Sequence, residues 1–369
     1  MPTVCLGANT LHYIHGGGHL WVYLNWALGL RAAGCDVIWL EAPWPGASAQ
    51  TVLAQAATVE ERLARYGLGG SMALSSQTRD ELPPELTDGF LDLDAAAEAD
   101  LLLNFRYETP QAVVNRFPRS AVVDIDPGLL QTWLRHGEFE LAAHDVYFTI
   151  GENDLPDAGL EWQHTPPCVS LDWWSPQPRA NGTAAFTTVT HWHGPQWVGD
   201  LENGYCNEKR LGFLPFLDLA ERVTQPLELA LPGEEEEAAA ELRRRGWRVR
   251  HSQEVAGTPW DYQRYVQSSL GEFSCAKPSA VLLQNAWLSD RTLCYLASGK
   301  PSVIQHTGPS DFLPDAEGLF RFRTLEDAAA AFDVLAADYD RHRVLARQLA
   351  EEHFDARKVV TRVLERALA

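Results

Sequence analysis

The stretch from Gly271 to Thr307, GEFSCAKPSAVLLQNAWLSDRTLCYLASGKPSVIQHT, constrains the fold most. Gly271–Ala276 suits a buried strand and Lys277–Asn285 reads as a mixed loop. Ser289 and Asp290 then stand just ahead of an apolar run, Leu293, Leu296 and Ala297. That is N-cap chemistry, in which a short side-chain oxygen takes up free N–H groups of the first helical turn. Gly299 and Pro301 stop the helix, and Ser302–Gln305 enters the next strand. A helix start at a strand–loop junction points N–H groups and partial positive charge outward, which suits a phosphate. Arg291 sits in that first turn and can add a bidentate contact to phosphate oxygens.

The N-terminal half opens with the same alternation. Thr3–Ala8 reads as a strand leading into His12-Tyr-Ile-His-Gly-Gly-Gly-His19, followed by a helix over Leu20–Ala33 and a strand over Cys35–Glu41. This strand, glycine loop, helix and strand form the opening of a Rossmann-like domain. The loop does not match GxGxxG, so a dinucleotide fingerprint is not supported and a dehydrogenase ranks low. Three glycines in a row, including Gly17 and Gly18, let backbone approach a ligand closely; they equally suit a tight turn. His12, His15 and His19 flank the loop, and a histidine titrates near working pH. Trp39 and Trp44 offer an apolar platform or simply core. Further strands are expected at Ser71–Ser76, Ala99–Asn104, Ser120–Ile125 and Val146–Gly151, with a helix over Thr51–Tyr66. Asp124 and Asp126 share one strand face at a carboxyl end, where open α/β sheets bind ligands; Asp126 equally suits the cap of a helix near Gly128.

Proline and tryptophan concentrate over Thr165–Pro178, which places the interdomain linker near 165–182 and the domains at 1–170 and 171–369. Beyond it, strands are expected at Ala185–Thr190, Leu227–Leu231, Arg248–Ser252 and Gly318–Phe322. Helices are expected at Leu211–Glu221, Glu234–Arg245 and Thr258–Ser269, with three more at the C-terminus. His191 and His193 form an HxH pair with no third ligand evident nearby, so no metal is expected. A net charge of −20 argues against nucleic acid as partner, because phosphate backbones are met by broad basic surfaces. No apolar run approaches the roughly 18–20 residues of a membrane span. Six scattered cysteines without a CxxC pair, and a strand-like start without a basic segment, point to a cytoplasmic protein.

The Gly271–Thr307 segment resembles the donor-binding strand–loop–helix of GT-B glycosyltransferases, and LASGKPSV (Leu296–Val303) is similar to their (S/C)GxPV turn. The SDR helix start and ASGKP turn further resemble a group of bacterial glycosyltransferases. The resemblance implies an α/β protein of two Rossmann-like domains facing a cleft, with the last helix crossing back to the first domain. One departure is plain: Ala286 and Cys294 fall near the places where retaining enzymes of the glycogen-synthase type carry glutamates. It further implies a nucleotide-sugar donor and a small-molecule or glycan acceptor, with no cofactor and no metal. The second domain then holds the donor with His191, His193, Lys209, Glu272, Ser274, Lys277, Ser289, Asp290 and Arg291, and the glycine loop faces the cleft. His15 first, and His19 second, are the candidate bases for the acceptor hydroxyl, with Asp124 to orient a base or a hydroxyl. A nucleotide-sugar epimerase using Asp124 and Asp126, and a non-catalytic hinged binding protein, are the alternatives.

Overall fold

The computed structural model describes residues 1–78, 82–87, 89–153, 159–179, 184–193, 197–198, 204–233, 235–313 and 315–369. Buried runs of Val, Leu and Ile alternate with helices, the pattern of parallel sheets covered on both faces. The first sheet contains β1 (Thr3–Gly7), β2 (Asp36–Glu41), β3 (Met72–Leu74), β4 (Leu101–Asn104), β5 (Ser120–Asp124), β6 (Val146–Thr149) and β7 (Trp162–His164). Its order is β3-β2-β1-β4-β5-β6-β7, parallel throughout. The second sheet begins with β8 (Phe186–Val189); a two-stranded ribbon, β9 (Trp197–Val198) with β10 (Tyr205–Cys206), interrupts it. It continues with β11 (Leu227–Leu231), β12 (Arg248–His251), β13 (Gly271–Ser274), β14 (Ser302–Gln305) and β15 (Leu319–Phe322). The order here is β12-β11-β8-β13-β14-β15, again parallel. Each sheet reverses its order beside its first strand, and such switch points are where open sheets bind ligands.

The first long helix spans Gly17–Ala32, so Gly17 and Gly18 form its first turn rather than the loop before it. Packing is the reason. A Cβ on Gly17 would lie 2.1 Å from the Thr258 carbonyl oxygen, and one on Gly18 would lie 2.7 Å from the Tyr262 ring. The helix is apolar all round and correspondingly buried, with Leu20, Trp21, Leu24 and Trp26 in the core. Its Trp21 Nε1–H donates to the Pro259 carbonyl across the two halves, at 2.8 Å.

The last helix, Ala356–Ala367, crosses back onto the first half. Gly29 of the first helix sits where a Cβ would lie 2.7 Å from that of Ala356, and Arg119 Nε donates to the Ala367 carbonyl at 3.1 Å. The 165–179 segment is anchored by its carbonyls: Trp174 accepts from Arg347 and Pro178 from the fully buried Lys300. Residues 180–182 of the expected linker lie outside the described residues.

Other differences have local causes. Pro278 at a first helical position turns part of Lys277–Asn285 into a short helix, Pro278–Leu283. Gly212 and Pro215 break Leu211–Glu221 into Lys209–Phe213, a 3-10 turn and Leu219–Arg222. Among the described residues, no helix is long and apolar enough to cross a membrane, and all six cysteines are free thiols.

Candidate functional site

A cavity of about 280 Å³ lies between the two sheets, and two helix starts open into it. From the first half come Tyr13, His15, Gly16, Gly17, Gly18 and His19; from the second come Val189, His191, Tyr262, Ser289, Asp290 and Arg291. Gly16 has no side chain to cap the Gly17–Ala32 helix, so its first N–H groups are left to whatever enters. The facing helix, Asp290–Ala297, is capped by Ser289, whose Oγ accepts from the Arg291 N–H at 3.3 Å. Two positive helix ends on one cavity make a site for an anion.

Arg291 is held from beneath. Its Nε donates to Glu272 Oε1 at 2.8 Å and its Nη2 to Ser274 Oγ at 2.9 Å. Glu272 is fully buried at the head of β13 and does not line the cavity, so this residue and Ser274 orient the arginine. Burial works against the guanidinium's charge, but Glu272, with smaller contributions from Tyr262 and Tyr295, more than offsets it and keeps Arg291 protonated. Asp290 lines the cavity; burial pushes its carboxyl up while Arg291 pulls it down.

Two further cations stand close by. Lys209 lies with its Nζ 5.3 Å from the Trp287 ring centroid, and burial, then Arg291 and Lys277, push its pKa down to about 7. Lys277 reaches across to Asp126 at 3.2 Å and so ties the two halves together. The loop ahead of the Asp290 helix is strained, with Gln284 at φ 50° and Ala286 at φ 58°. Such backbone persists only where surroundings hold it. Here Asn285 Nδ2 donates to the Pro127 carbonyl, and the Ala286 N–H to the Thr307 carbonyl.

The histidines separate. His15 is exposed at the cavity rim. His19 is fixed: its Nε2 lies 2.7 Å from the Asn9 carbonyl, and its ring packs edge-on against Tyr13 and Tyr23. That carbonyl can only accept, so Nε2 carries the proton and Nδ1 keeps the lone pair. Burial lowers the His19 pKa, so the ring is neutral near pH 7. His12 stays outside the cavity lining and packs on Trp44. His191 lines the cavity with its ring 5.5 Å from Tyr13, whereas His193 turns between Glu208 and Glu235 and does not.

Asp124 is not at the site. It is fully buried and accepts hydrogen bonds from Tyr107, Gln131, Thr149 and the Asp126 N–H, which together secure the ends of β5 and β6. With Asp126 paired to Lys277, neither Asp124 nor Asp126, the pair an epimerase would use, lines the cavity. Sequence reading missed Tyr13, Tyr262 and Glu41. The buried Glu41 carboxylate receives the Thr10 N–H and the Trp39 Nε1–H, and so anchors the turn that presents the glycine loop. Its one visible signal was an acidic residue closing an apolar strand, DVIWLE.

No family model and no curated protein matches the chain. Solved structures do. An alpha-glucosyltransferase in complex with UDP and a 13-mer DNA containing a central A:G mismatch aligns over 100% of both chains, with a TM-score of 0.64 and 13% identity. Anabaena HepE in complex with UDP-glucose aligns over 99% of each chain, with a TM-score of 0.58 and 13% identity. Two parallel sheets facing one cavity, a last helix that returns to the first half, and these alignments along the whole length give one conclusion: the chain has the GT-B glycosyltransferase fold.

Proposed function

We propose that this protein is a glycosyltransferase that moves a hexosyl group from a nucleotide-sugar, a UDP-sugar by the ligands of its structural neighbours, to a hydroxyl of a small molecule or glycan. The observation that carries the reading is the cavity where the Gly17 and Asp290 helix starts and Arg291 converge. A diphosphate leaving group develops charge as the glycosidic bond breaks, and preorganised donors are worth most at that moment. Arg291, the Ser289–Asp290 amides and the nearby Lys209 supply them without a metal or cofactor. In an inverting reaction His19 is the base, through Nδ1, with His15 the second candidate; a retaining reaction needs neither. DNA accompanies one neighbour, but a net charge of −20 disfavours a nucleic-acid acceptor for this chain.

Isothermal titration calorimetry with UDP, GDP and ADP in excess chelator tests the reading. Binding of UDP that survives chelation and weakens in Arg291→Ala is expected. Unaltered affinity in that variant would take Arg291 out of the site, and binding only with Mg²⁺ would end the metal-free mechanism.

A further inference from the structure

Sequence reading paired Trp39 with Trp44, and the structure separates them completely. Trp39 is fully buried, its Nε1–H committed to Glu41, whereas Trp44 is 57% exposed. Trp44 stands on the loop after β2, with its ring centroid 4.3 Å from that of His12 on the loop after β1. The loop after β3 brings Gln77, whose amide donates to the Ala42 carbonyl at 3.2 Å and lies 3.4 Å from His12 Nε2. Three neighbouring strands thus deliver one aromatic ring and two polar side chains to their carboxyl ends, the ligand-binding edge of such a sheet. The cavity begins one residue further along the chain, at Tyr13, which is 41% exposed and lines it.

We infer that Trp44, with His12 and Gln77, is the acceptor platform, and that it takes the ring of a neutral saccharide. The inference rests on the glycosyl-transfer reading and deepens it. An aromatic face packs against the C–H face of a pyranose while nearby amide and imidazole groups meet its hydroxyls; Trp is suited to such half-wet contacts. A lipid acceptor needs a broad apolar patch, yet Tyr13 and Trp44 are the only large apolar side chains exposed on these loops among the described residues. An anionic acceptor needs a free cation; among the described residues these three loops carry no Lys or Arg, and the neighbouring Arg106 is buried with its guanidinium donating to the Ala42 carbonyl. Burial, then Arg106, holds the His12 pKa down to about 4, which keeps the ring neutral in use.

The test uses saturation-transfer NMR on the full chain saturated with UDP, against neutral trisaccharides (maltotriose, cellotriose, mannotriose, xylotriose), a phenol and a medium-chain alcohol. UDP calorimetry runs in parallel on wild type, Trp44→Ala and Trp44→Phe. The expected result is transfer to at least one trisaccharide, roughly tenfold weaker binding in Trp44→Ala, near-normal binding in Trp44→Phe, and equal UDP affinity in all three. A trisaccharide signal that survives Trp44→Ala overturns the platform. No trisaccharide signal in UDP-saturated protein, or Trp44-dependent signal from the phenol or alcohol alone, overturns the saccharide. Loss of UDP binding in wild type would instead sink the parent reading.

Discussion

Glu272→Gln separates two roles that Arg291 and Glu272 can divide between them. The pair is 2.8 Å apart, with Glu272 fully buried and the Arg291 side chain 13% exposed, so neither charge is well screened by water. Breaking a buried pair by removing one charge costs about 3–5 kcal/mol, because the other charge stays buried and unpaired. Glutamine still offers an oxygen to the Arg291 Nε–H, which places the loss near the lower end, about 3 kcal/mol. For a domain of this size each kcal/mol lowers Tm by about 2–4 °C, so a fall of about 6–12 °C is expected by calorimetry. UDP then provides the readout. It stabilises only the folded state, by about 2.7 kcal/mol at one hundred times Kd, and its diphosphate replaces the missing carboxylate charge. At equal UDP concentration the Tm of Glu272→Gln therefore rises more than that of wild type. A variant that melts within 2 °C of wild type would refute the buried-pair argument. A smaller UDP shift than in wild type would mean that Glu272 contacts the donor itself.

Three other outcomes follow from the site. If His19 is the base, His19→Ala lowers the transfer rate by roughly 10²–10⁴-fold while UDP affinity by calorimetry stays within twofold; a normal rate would exclude it. Lys209, titrating near pH 7, carries its charge below that pH and loses it above, so UDP affinity falls as pH rises from 6 to 8. Lys209→Arg flattens that profile, and an unchanged slope would remove Lys209 from donor binding. Burial raises the Asp124 pKa to about 6, above its unfolded value. The folded state then holds the extra proton, so this group's contribution to stability declines as pH rises from about 4 to 6. Urea titrations of Asp124→Asn should lose that slope and calorimetry should show unaltered UDP affinity; a variant that no longer binds UDP would return Asp124 to the site.

Much of the fold was legible along the chain because alternation of buried strand and helix is a local signal. The run from Gly271 to Gln305 showed its strand, its Ser289 cap and its Gly299–Pro301 stop in residues a few places apart. The same is true of the glycine loop's place between a strand and an apolar helix. Roles that depend on distant partners were not legible. Glu272 and Arg291 lie 19 residues apart in sequence, and only the fold shows that the carboxylate of one holds the guanidinium of the other. Asp124 read as a catalytic carboxylate because a strand end is where such groups work. Tyr107, Gln131 and Thr149, brought from three other segments, absorb its lone pairs.

The sequence alone determined two parallel α/β halves, the capped helix start and the arginine beside it, because each depends on hydrogen bonds and hydrophobic spacing within a few residues. The tertiary structure alone decided that Gly17 and Gly18 yield to Thr258 and Tyr262, that His19 is fixed while His15 is exposed, and that Trp44 faces water while Trp39 does not. Burial and pairing between segments far apart in the chain set those outcomes, and neither has a local signature.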